Sequence, residues 1–137
     1  MATSVLAAVV EKVASLTGLT SAQVFVNDAP ISTGLPYAIV ERVNEESWRH
    51  QGGKNTLSDS TVAVECVAAS PFLAETLSDA VIAGLDGVHV SIGTSPNVMQ
   101  VYAAMEARTG FVFSDQHAGG NNKHSERLIF KVLHPAT

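Results

Sequence analysis

Residues 115 to 124, DQHAGGNNKH, carry the densest group of side chains that could do chemistry. Asp115, His117 and His124 are residue types that bind metal ions, and Asp115 and His117 could join Ser125 as a hydrolytic triad. The histidines lack the four-residue helical spacing of a zinc site, and no cysteine supports them. The chain also lacks the Gly-x-Ser-x-Gly turn that exposes a nucleophilic serine. We interpret the segment as a polar loop, with a metal site and a triad as the alternatives.

Paired acids and paired glycines elsewhere in the chain match no catalytic pattern. Glu45 and Glu46 are adjacent on a predicted strand, so they point to opposite faces and cannot share a substrate. The pairs Gly52-Gly53 and Gly119-Gly120 have neither the GxGxxG nor the P-loop spacing, so we predict no phosphate-binding loop. The remaining histidines fall at strand ends or solvent positions and are interpreted as surface residues: His50, His89 and His134. We therefore predict no catalytic residue, no metal and no cofactor.

The composition argues against a nucleic-acid-binding or membrane-surface protein. The chain has 137 residues and a net charge of −5, and its Lys and Arg residues are scattered singly. Specific duplex binding and binding to an anionic membrane both need clustered cations. Charged residues make up only 15% of the chain, against about 25% in typical soluble domains. Such a surface suits a subunit of an assembly, and an Ala-rich protein without that role is the other interpretation.

The single cysteine and the first residues bear on the cellular compartment. Cys66 lies in the apolar alternation of a predicted strand, where cysteine usually acts as a small hydrophobe. One unpaired cysteine is consistent with a reducing compartment. The opening MATSVLAAVVEK lacks the basic region of a signal peptide, and no stretch reaches the ~18 apolar residues of a membrane span. We expect a cytoplasmic site of synthesis and no membrane partner.

Hydrophobic periodicity predicts two helices and six strands. Helical spacing covers residues 3 to 17 and a second segment that starts at Ser70-Pro71 and stops near Gly87, with Leu73 and Leu77 in its apolar stripe. Alternation predicts strands at 24–26, 37–50, 60–69, 88–92, 98–107 and 125–134. We expect Thr109-Gly110 to interrupt the fifth strand. The order is typical of one α+β domain over residues 1–137, a mainly antiparallel sheet with two amphipathic helices packed on one face.

A long projecting hairpin is the least usual predicted feature. Its first strand is apolar on both faces near Tyr37 and polar from Asn44 onward, so it starts in the core and runs past it. Turn-forming residues between Gln51 and Ser58 close the hairpin. Trp48 stands alone in the polar half. It either caps the helix layer or anchors a protein–protein interface, where Trp is enriched.

Several short motifs follow one another along nearly the whole chain. The strand entry Gly34-Leu35-Pro36-Tyr37 continues as Ala38-Ile39-Val40, and an alternating strand from Thr61 to Val67 follows the polar loop. The second helix reads Ala74-Glu75-Thr76-Leu77-Ser78-Asp79-Ala80-Val81, and the last strand contains Arg127-Leu128-Ile129-Phe130-Lys131-Val132. In this order, the motifs resemble the tail-completion or tail-terminator family of long-tailed bacteriophages and related gene-transfer particles. The Gly-Gly-Asn-Asn loop replaces the acidic, Pro- or Tyr-containing turn that the family often has before its last strand.

The resemblance implies a non-enzymatic virion structural protein. It would form a ring of its own copies, expected to be a hexamer, that caps the tail tube and joins it to the head connector. Its partners would be itself, the tail tube protein and the head-completion or connector protein, at the head–tail junction of a virion assembled in the host cytoplasm. The alternatives are another head–tail adaptor, a non-enzymatic α+β interaction module and, lastly, a small enzyme.

Two sets of contact residues follow from the resemblance. The hairpin would pack on the neighbouring subunit through Glu45, Glu46, Trp48, Arg49, Gly52, Gly53 and Lys54. The polar loop would meet a partner through Asp115, His117, Gly119, Gly120, Asn121, Lys123 and His124.

Overall fold

The structure, a computed structural model, describes residues 5–27, 34–49, 55–92, 99–114 and 122–135. The helices are α1 (Val5–Thr17) and α2 (Pro71–Leu85), and a 3-10 turn covers Ser21–Gln23. The strands are β1 (Val24–Val26), β2 (Tyr37–Arg49), β3 (Asn55–Ala68), β4 (Gly87–Ile92), β5 (Met99–Ser114) and β6 (Asn122–Pro135). Within these ranges the strands form a six-stranded sheet in the order β1-β2-β3-β6-β5-β4.

The sheet is antiparallel except at β1, which runs parallel to β2. β1 ends early because Asn27 adopts a φ of 68° while its N–H donates to the Val40 carbonyl at 3.0 Å. Asparagine enters this left-handed region more readily than most residues. Beyond Val40, β2 is therefore the edge of the sheet in the described part of the chain. The fold is α+β, as predicted.

Local signals explain where α2 begins. The Ser70 side chain accepts a hydrogen bond from the Leu73 N–H at 3.2 Å, and Pro71 occupies the first turn. Both features confirm the predicted start. The buried stripe of α2 consists of Ala74, Leu77, Ser78, Val81 and Leu85. Leu73 was expected in that stripe, but it is 39% exposed because it lies on the flank of the helix.

Both helices cover the same face of the sheet. Val62 and Val64 of β3 lie opposite Phe130 and Leu128 of β6, and all four side chains are at most 1% exposed. These residues share one core cluster with Ala8, Val9 and Val13 of α1 and with Leu77, Val81 and Leu85 of α2. The predicted inward faces of β3 and β6 are confirmed.

Two β-bulges redirect side chains on either side of the central β3–β6 pair. In β2 the register shifts between Arg42 and Asn44, and in β5 it shifts between Met105 and Ala107. A bulge adds one residue to one strand and reverses the alternation beyond it. Glu45 therefore lies opposite Ser60, on the helix-covered face.

Strands β3, β5 and β6 extend several residues beyond their predicted ends. β3 begins at Asn55, so the prediction of a loop through Ser58 is wrong. β5 continues through Thr109-Gly110 to Ser114, so the predicted interruption is wrong. Thr109 and Gly110 pair with β6 across the sheet, and this pairing outweighs their weak strand preference.

Candidate assembly surface

The outer half of the β2–β3 hairpin holds part of the predicted interface set. Its register pairs are Glu45–Ser60, Glu46–Asp59, Trp48–Leu57 and Arg49–Asn55. Gly52, Gly53 and Lys54 lie outside the described residues. The structure therefore brings Glu45, Glu46, Trp48 and Arg49 together on one strand, β2.

The two arms of the hairpin have different surroundings. β3 is also paired with β6, from Ala68–His124 to Leu57–Pro135. The β2 arm has no strand on its outer side beyond Val40 within the described ranges. Its exposed residues there include Val43, which is 51% exposed at the bulge. The open edge of this region is therefore β2, and β3 belongs to the interior of the sheet.

A polar cluster lies at the base of the outer half, made by Glu45, Ser60 and His134 (the Glu45 cluster). Ser60 Oγ lies 2.7 Å from His134 Nε2 and 3.3 Å from Glu45 Oε1. Arg42 Nη1 lies 3.2 Å from the same carboxylate oxygen. Ser60 is 0% exposed and His134 is 1% exposed. Buried polar groups need partners of this kind, so the cluster ties β2, β3 and β6 together on the helix-covered face.

The prediction that His134 is a surface residue is wrong. The inward alternation of β6 through Leu128, Phe130 and Val132 continues to His134, which lies opposite Ser58. Ser60 holds the equivalent position in the alternation of β3, and sequence reasoning missed it. The two-residue period was the available signal.

The Glu45 cluster is not arranged for nucleophilic catalysis. In a serine triad, one imidazole nitrogen contacts the serine and the other contacts the acid. Here the same nitrogen, Nε2 of His134, lies 2.7 Å from Ser60 Oγ and 4.0 Å from Glu45 Oε1. Because Ser60 is fully buried, a substrate has no route to its hydroxyl. The arrangement supports a structural task for these three residues.

The polar loop ends earlier than predicted. Asn122, Lys123 and His124 belong to β6, so their assignment to the loop is wrong. Lys123 is 3% exposed, and its Nζ lies 3.4 Å from Tyr37 Oη and 5.2 Å from the centre of the Tyr37 ring. This cation–π geometry holds the ammonium inside the chain. The other loop residues of the predicted contact set lie outside the described residues: Asp115, His117, Gly119, Gly120 and Asn121.

His124 lies at the start of β6, beside the first turn of α2. It lines a groove of about 320 Å³ with Pro71, Ala74 and Glu75. Its Nδ1 is buried and has no hydrogen-bond partner in the described part of the chain. Buried nitrogens without a partner are uncommon in folded chains.

The helix-free face carries ion pairs between strands, one of them across β3. Arg127 Nη1 lies 3.8 Å from Glu41 Oε2, and Lys131 Nζ lies 3.6 Å from Asp59 Oδ2. Burial raises the pKa of Glu65 on this face, and the nearby Arg127 opposes that shift. Exposed ion pairs contribute only about 0–1 kcal/mol each. They make this face polar without adding much to its stability.

Cys66 is part of the core, as predicted. It is 0% exposed, and burial raises the pKa of its thiol to about 11. A buried neutral thiol is a poor nucleophile and a poor metal ligand. Among the described residues, no three His, Cys, Asp or Glu side chains lie together as a metal site. Neither described helix has the length and apolar character needed to cross a bilayer.

Comparison with known proteins gives similarity to solved structures. No protein-family model matches the sequence, and no curated protein matches it. Among solved structures, the chain is similar to a chain in the virion of a native gene transfer agent particle, with a TM-score of 0.59 and 15% sequence identity. The similarity covers 96% of this chain and 95% of that chain. At this identity the likeness shows a shared fold.

Proposed function

We propose that this chain is a virion structural protein of a phage-like particle, a ring-forming tail terminator that caps the tail tube and joins it to the head connector. The observation that carries the proposal is the fold shared, over nearly the full length of both chains, with a chain of a gene transfer agent virion. The motifs from Gly34-Leu35-Pro36-Tyr37 to the last strand favour the same family.

The edge of β2 supports a contact between copies of the chain. Beyond Val40 its backbone groups face away from the described sheet, and such an edge can pair with another chain. The Glu45 cluster holds this arm to β3 and β6, so the edge is presented on a fixed support. The proposed interface set on this arm is Glu45, Glu46, Trp48 and Arg49, and it includes Gly52, Gly53 and Lys54, which lie outside the described residues.

The start of β6 supports a second contact, with a head or tail protein. His124 lines an open groove of about 320 Å³ beside the first turn of α2, where a partner chain can bind. The other predicted residues of this contact set precede β6 in the sequence and lie outside the described residues: Asp115, His117, Gly119, Gly120 and Asn121. Lys123 contributes indirectly, because its contact with Tyr37 fixes the start of β6.

Electron microscopy of particles made without this gene tests the role. A terminator stops tail growth and enables joining, so we expect tails of irregular length that are not attached to full heads. Restoring the wild-type gene should restore uniform, attached tails. Tails of normal length that fail to attach would favour a head-side adaptor instead. Normal particles would contradict a virion role.

A pair of substitutions at Trp48 tests the hairpin contact. Trp48→Ala removes an aromatic anchor, and Trp48→Phe keeps an aromatic ring as the matched control. We expect the Ala variant to lose ring formation, measured by light scattering with tail tubes present, and to lose tail joining, while the Phe variant retains both. Unchanged assembly mass and unchanged joining in the Ala variant would remove the hairpin from the interface.

A further inference from the structure

The groove of about 320 Å³ between the first turns of α2 and the start of β6 is open to solvent, and we call it the Glu75 groove. Ala74 and Gly110 are small residues of its lining, and Glu75, His124 and Glu126 border it. Ala74 is 1% exposed, so the groove reaches the edge of the helix-covered core. Glu75 is exposed, so its carboxylate is accessible to another molecule.

The surface around the Glu75 groove is acidic. Glu75 and Glu126 line the groove, and Asp79 lies one helical turn after Glu75. Arg108 offsets part of this charge, because its side chain lies 2.6 Å from Glu126 and 2.9 Å from Asp79. Three carboxylates against one guanidinium leave an excess of two negative charges. The N-terminal end of α2 offsets only about half a charge more, so the surface attracts a cationic segment.

A contact between copies of this chain has to overcome like charge. The chain carries a net charge of −5, so two copies attract only where a basic segment of one meets an acidic surface of the other. Only two acid-free stretches of the sequence hold two Lys or Arg residues, 47–58 and 127–137. The cations of the second stretch already lie 3.8 and 3.6 Å from carboxylates of β2 and β3. The first stretch, with Arg49 and Lys54, is therefore the basic segment that a second copy can offer.

The hairpin cannot bring this segment to the Glu75 groove of its own chain. The groove lies at the His124 end of β6, which pairs with Ala68, whereas Leu57 pairs with Pro135 at the other end. Eleven residues of β3 separate Leu57 from Ala68, roughly 35 Å at the usual rise per residue. The five residues between Arg49 and Asn55 are too few to span that distance. A basic segment in the groove must therefore come from another molecule.

An apolar rim beside the groove matches the rest of the basic segment. Phe72 is 79% exposed and Leu73 is 39% exposed. Both follow Pro71, which lines the groove. In the sequence Trp48 directly precedes Arg49, and aromatic rings at an interface bury a large apolar area against each other. The segment and the surface therefore match in two independent respects, charge and apolar character.

We infer that residues 48–54 of one copy bind in the Glu75 groove of a second copy, with Lys54 beside Glu75. The contact joins two different surfaces, so it can repeat from copy to copy and close into a ring when the rotation permits. The inference rests on the proposed hairpin contact and names the surface that receives it. A head or tail protein then meets the residues that precede His124, and the groove itself serves the contact between copies.

Zero-length cross-linking with a carbodiimide tests the contact, because this reagent joins a carboxylate to a lysine amine only where the two touch. Isotope-labelled and unlabelled copies are mixed, with and without tail tubes, and the linked peptides are identified by mass spectrometry. We expect a Lys54–Glu75 link whose two halves come from different copies. Lys54→Arg is the matched control, since it keeps the charge and removes the amine. This link should then disappear while self-association in sedimentation persists.

Charge reversal measures how much the pairing contributes. Lys54→Glu and Glu75→Lys should each weaken self-association by about tenfold, because an attractive pair becomes a repulsive one. Both changes in one chain restore opposite charges across the contact and should recover the association to within about threefold. Glu11→Lys makes the same change in net charge at an exposed site on α1 and should not weaken association. These differences should shrink at about 0.5 M salt, which screens exposed charges.

Several results would overturn the inference. Glu75→Lys and Glu11→Lys that associate equally well would do so, as would a double variant no better than the single ones. Wild-type protein that gives no Lys54–Glu75 link, with or without tubes, would also do so. A link from Glu75 to a tube protein in its place would overturn the inference and assign the groove to the tail. The Trp48→Ala test and the particle microscopy can succeed while these measurements fail, so the two proposals are separable.

Discussion

The helix-covered face of the sheet has two ends that are equally buried but built from different chemistry. At one end, β3 and β6 contribute Val64, Cys66 and Leu128, all 0% exposed under the helices. At the other end, the same two strands contribute Ser58, Ser60 and His134, at 0–1% exposure. Burial alone therefore does not distinguish a hydrophobic core from a polar junction.

The two ends differ in the interactions that replace contact with water: apolar packing at one end and hydrogen bonds at the other. The apolar end is stabilised by surface removed from water, which needs close packing but no particular partner. The polar end depends on specific bonds, such as the 2.7 Å contact between Ser60 Oγ and His134 Nε2. A hydrogen-bonded polar side chain is held in one orientation, whereas an apolar side chain can shift without losing a specific bond. The polar end is thus suited to holding the β2 edge in one position.

The largest effect should come from the apolar end, at Phe130. Its side chain is 1% exposed on a central strand, so Phe130→Ala creates a cavity and should lower the free energy of unfolding by about 3–5 kcal/mol. Urea denaturation measures the loss. Phe72→Ala, at a site that is 79% exposed, is the control and should change stability by less than about 0.5 kcal/mol. Similar losses at both positions would mean that the apolar end is not the main source of stability.

The polar end should give smaller, strongly coupled effects. Ser60→Ala removes the hydroxyl that contacts both His134 and Glu45, and should lower the free energy of unfolding by about 1–3 kcal/mol. His134→Leu alone removes the other side of the same bond and should have a comparable effect. The double variant leaves neither of those two polar groups and should lose clearly less than the sum of the two.

Urea denaturation of the four proteins in this cycle gives the coupling. We expect about 0.5 kcal/mol or more, the range seen for residues in one hydrogen-bonded network. Additive losses would show that Ser60 and His134 do not depend on each other, and the polar end would then be an ordinary packed region.

Sequence reasoning predicted the helices well because their signals are local. The cap at Ser70-Pro71 and the stripe of α2 are both readable within one segment. The ends of strands were harder to predict, since a strand continues for as long as a neighbouring strand pairs with it. Thr109-Gly110 reads as a break, yet both residues lie in register with Arg127 and Glu126 of β6. That pairing partner lies outside residues 98–114, so the local sequence does not show that the strand continues.

The candidate site was predicted only in part, because some of its contacts also depend on pairing between distant strands. The polar change at Asn44 was visible in the sequence, and the structure shows a bulge there that turns Glu45 toward Ser60. The two-residue period could have placed Ser60 and His134 on the inward face. That they meet could not be read, because they are 74 residues apart and their contact depends on the β3–β6 register.

The two helices pack closely against each other over the apolar end, and a substitution at Gly84 measures how closely. A Cβ at Gly84 of α2 would overlap the Leu16 side chain of α1. Alanine favours a helix over glycine by about 0.5–1 kcal/mol, whereas overpacking costs typically about 1–3 kcal/mol. Gly84→Ala should therefore lower the free energy of unfolding by about 1 kcal/mol. In a Leu16→Ala background the clash disappears, and the same change should become stabilising by about 0.5 kcal/mol. A loss in both backgrounds would mean that Leu16 is not the obstacle.

The smallest effect should come from the opposite face of the same strands, at Glu65. Burial raises the pKa of Glu65 in the folded chain, with Arg127 opposing it, so ionisation of this carboxyl is less favourable folded than unfolded. The stability that its protonated form contributes is present at low pH and is lost as pH rises through the folded pKa. Glu65→Gln keeps a neutral group of similar shape throughout. Its melting temperature should match that of the wild type near about pH 3.5 and lie slightly above it near about pH 7, by a small margin because solvent screens this half-buried site. A difference that is the same at both pH values would show that burial and the charge of Arg127 cancel at Glu65. A difference that favours the wild type at neutral pH would show that attraction to Arg127 outweighs burial, and the helix-free face would then be stabilised by its charges.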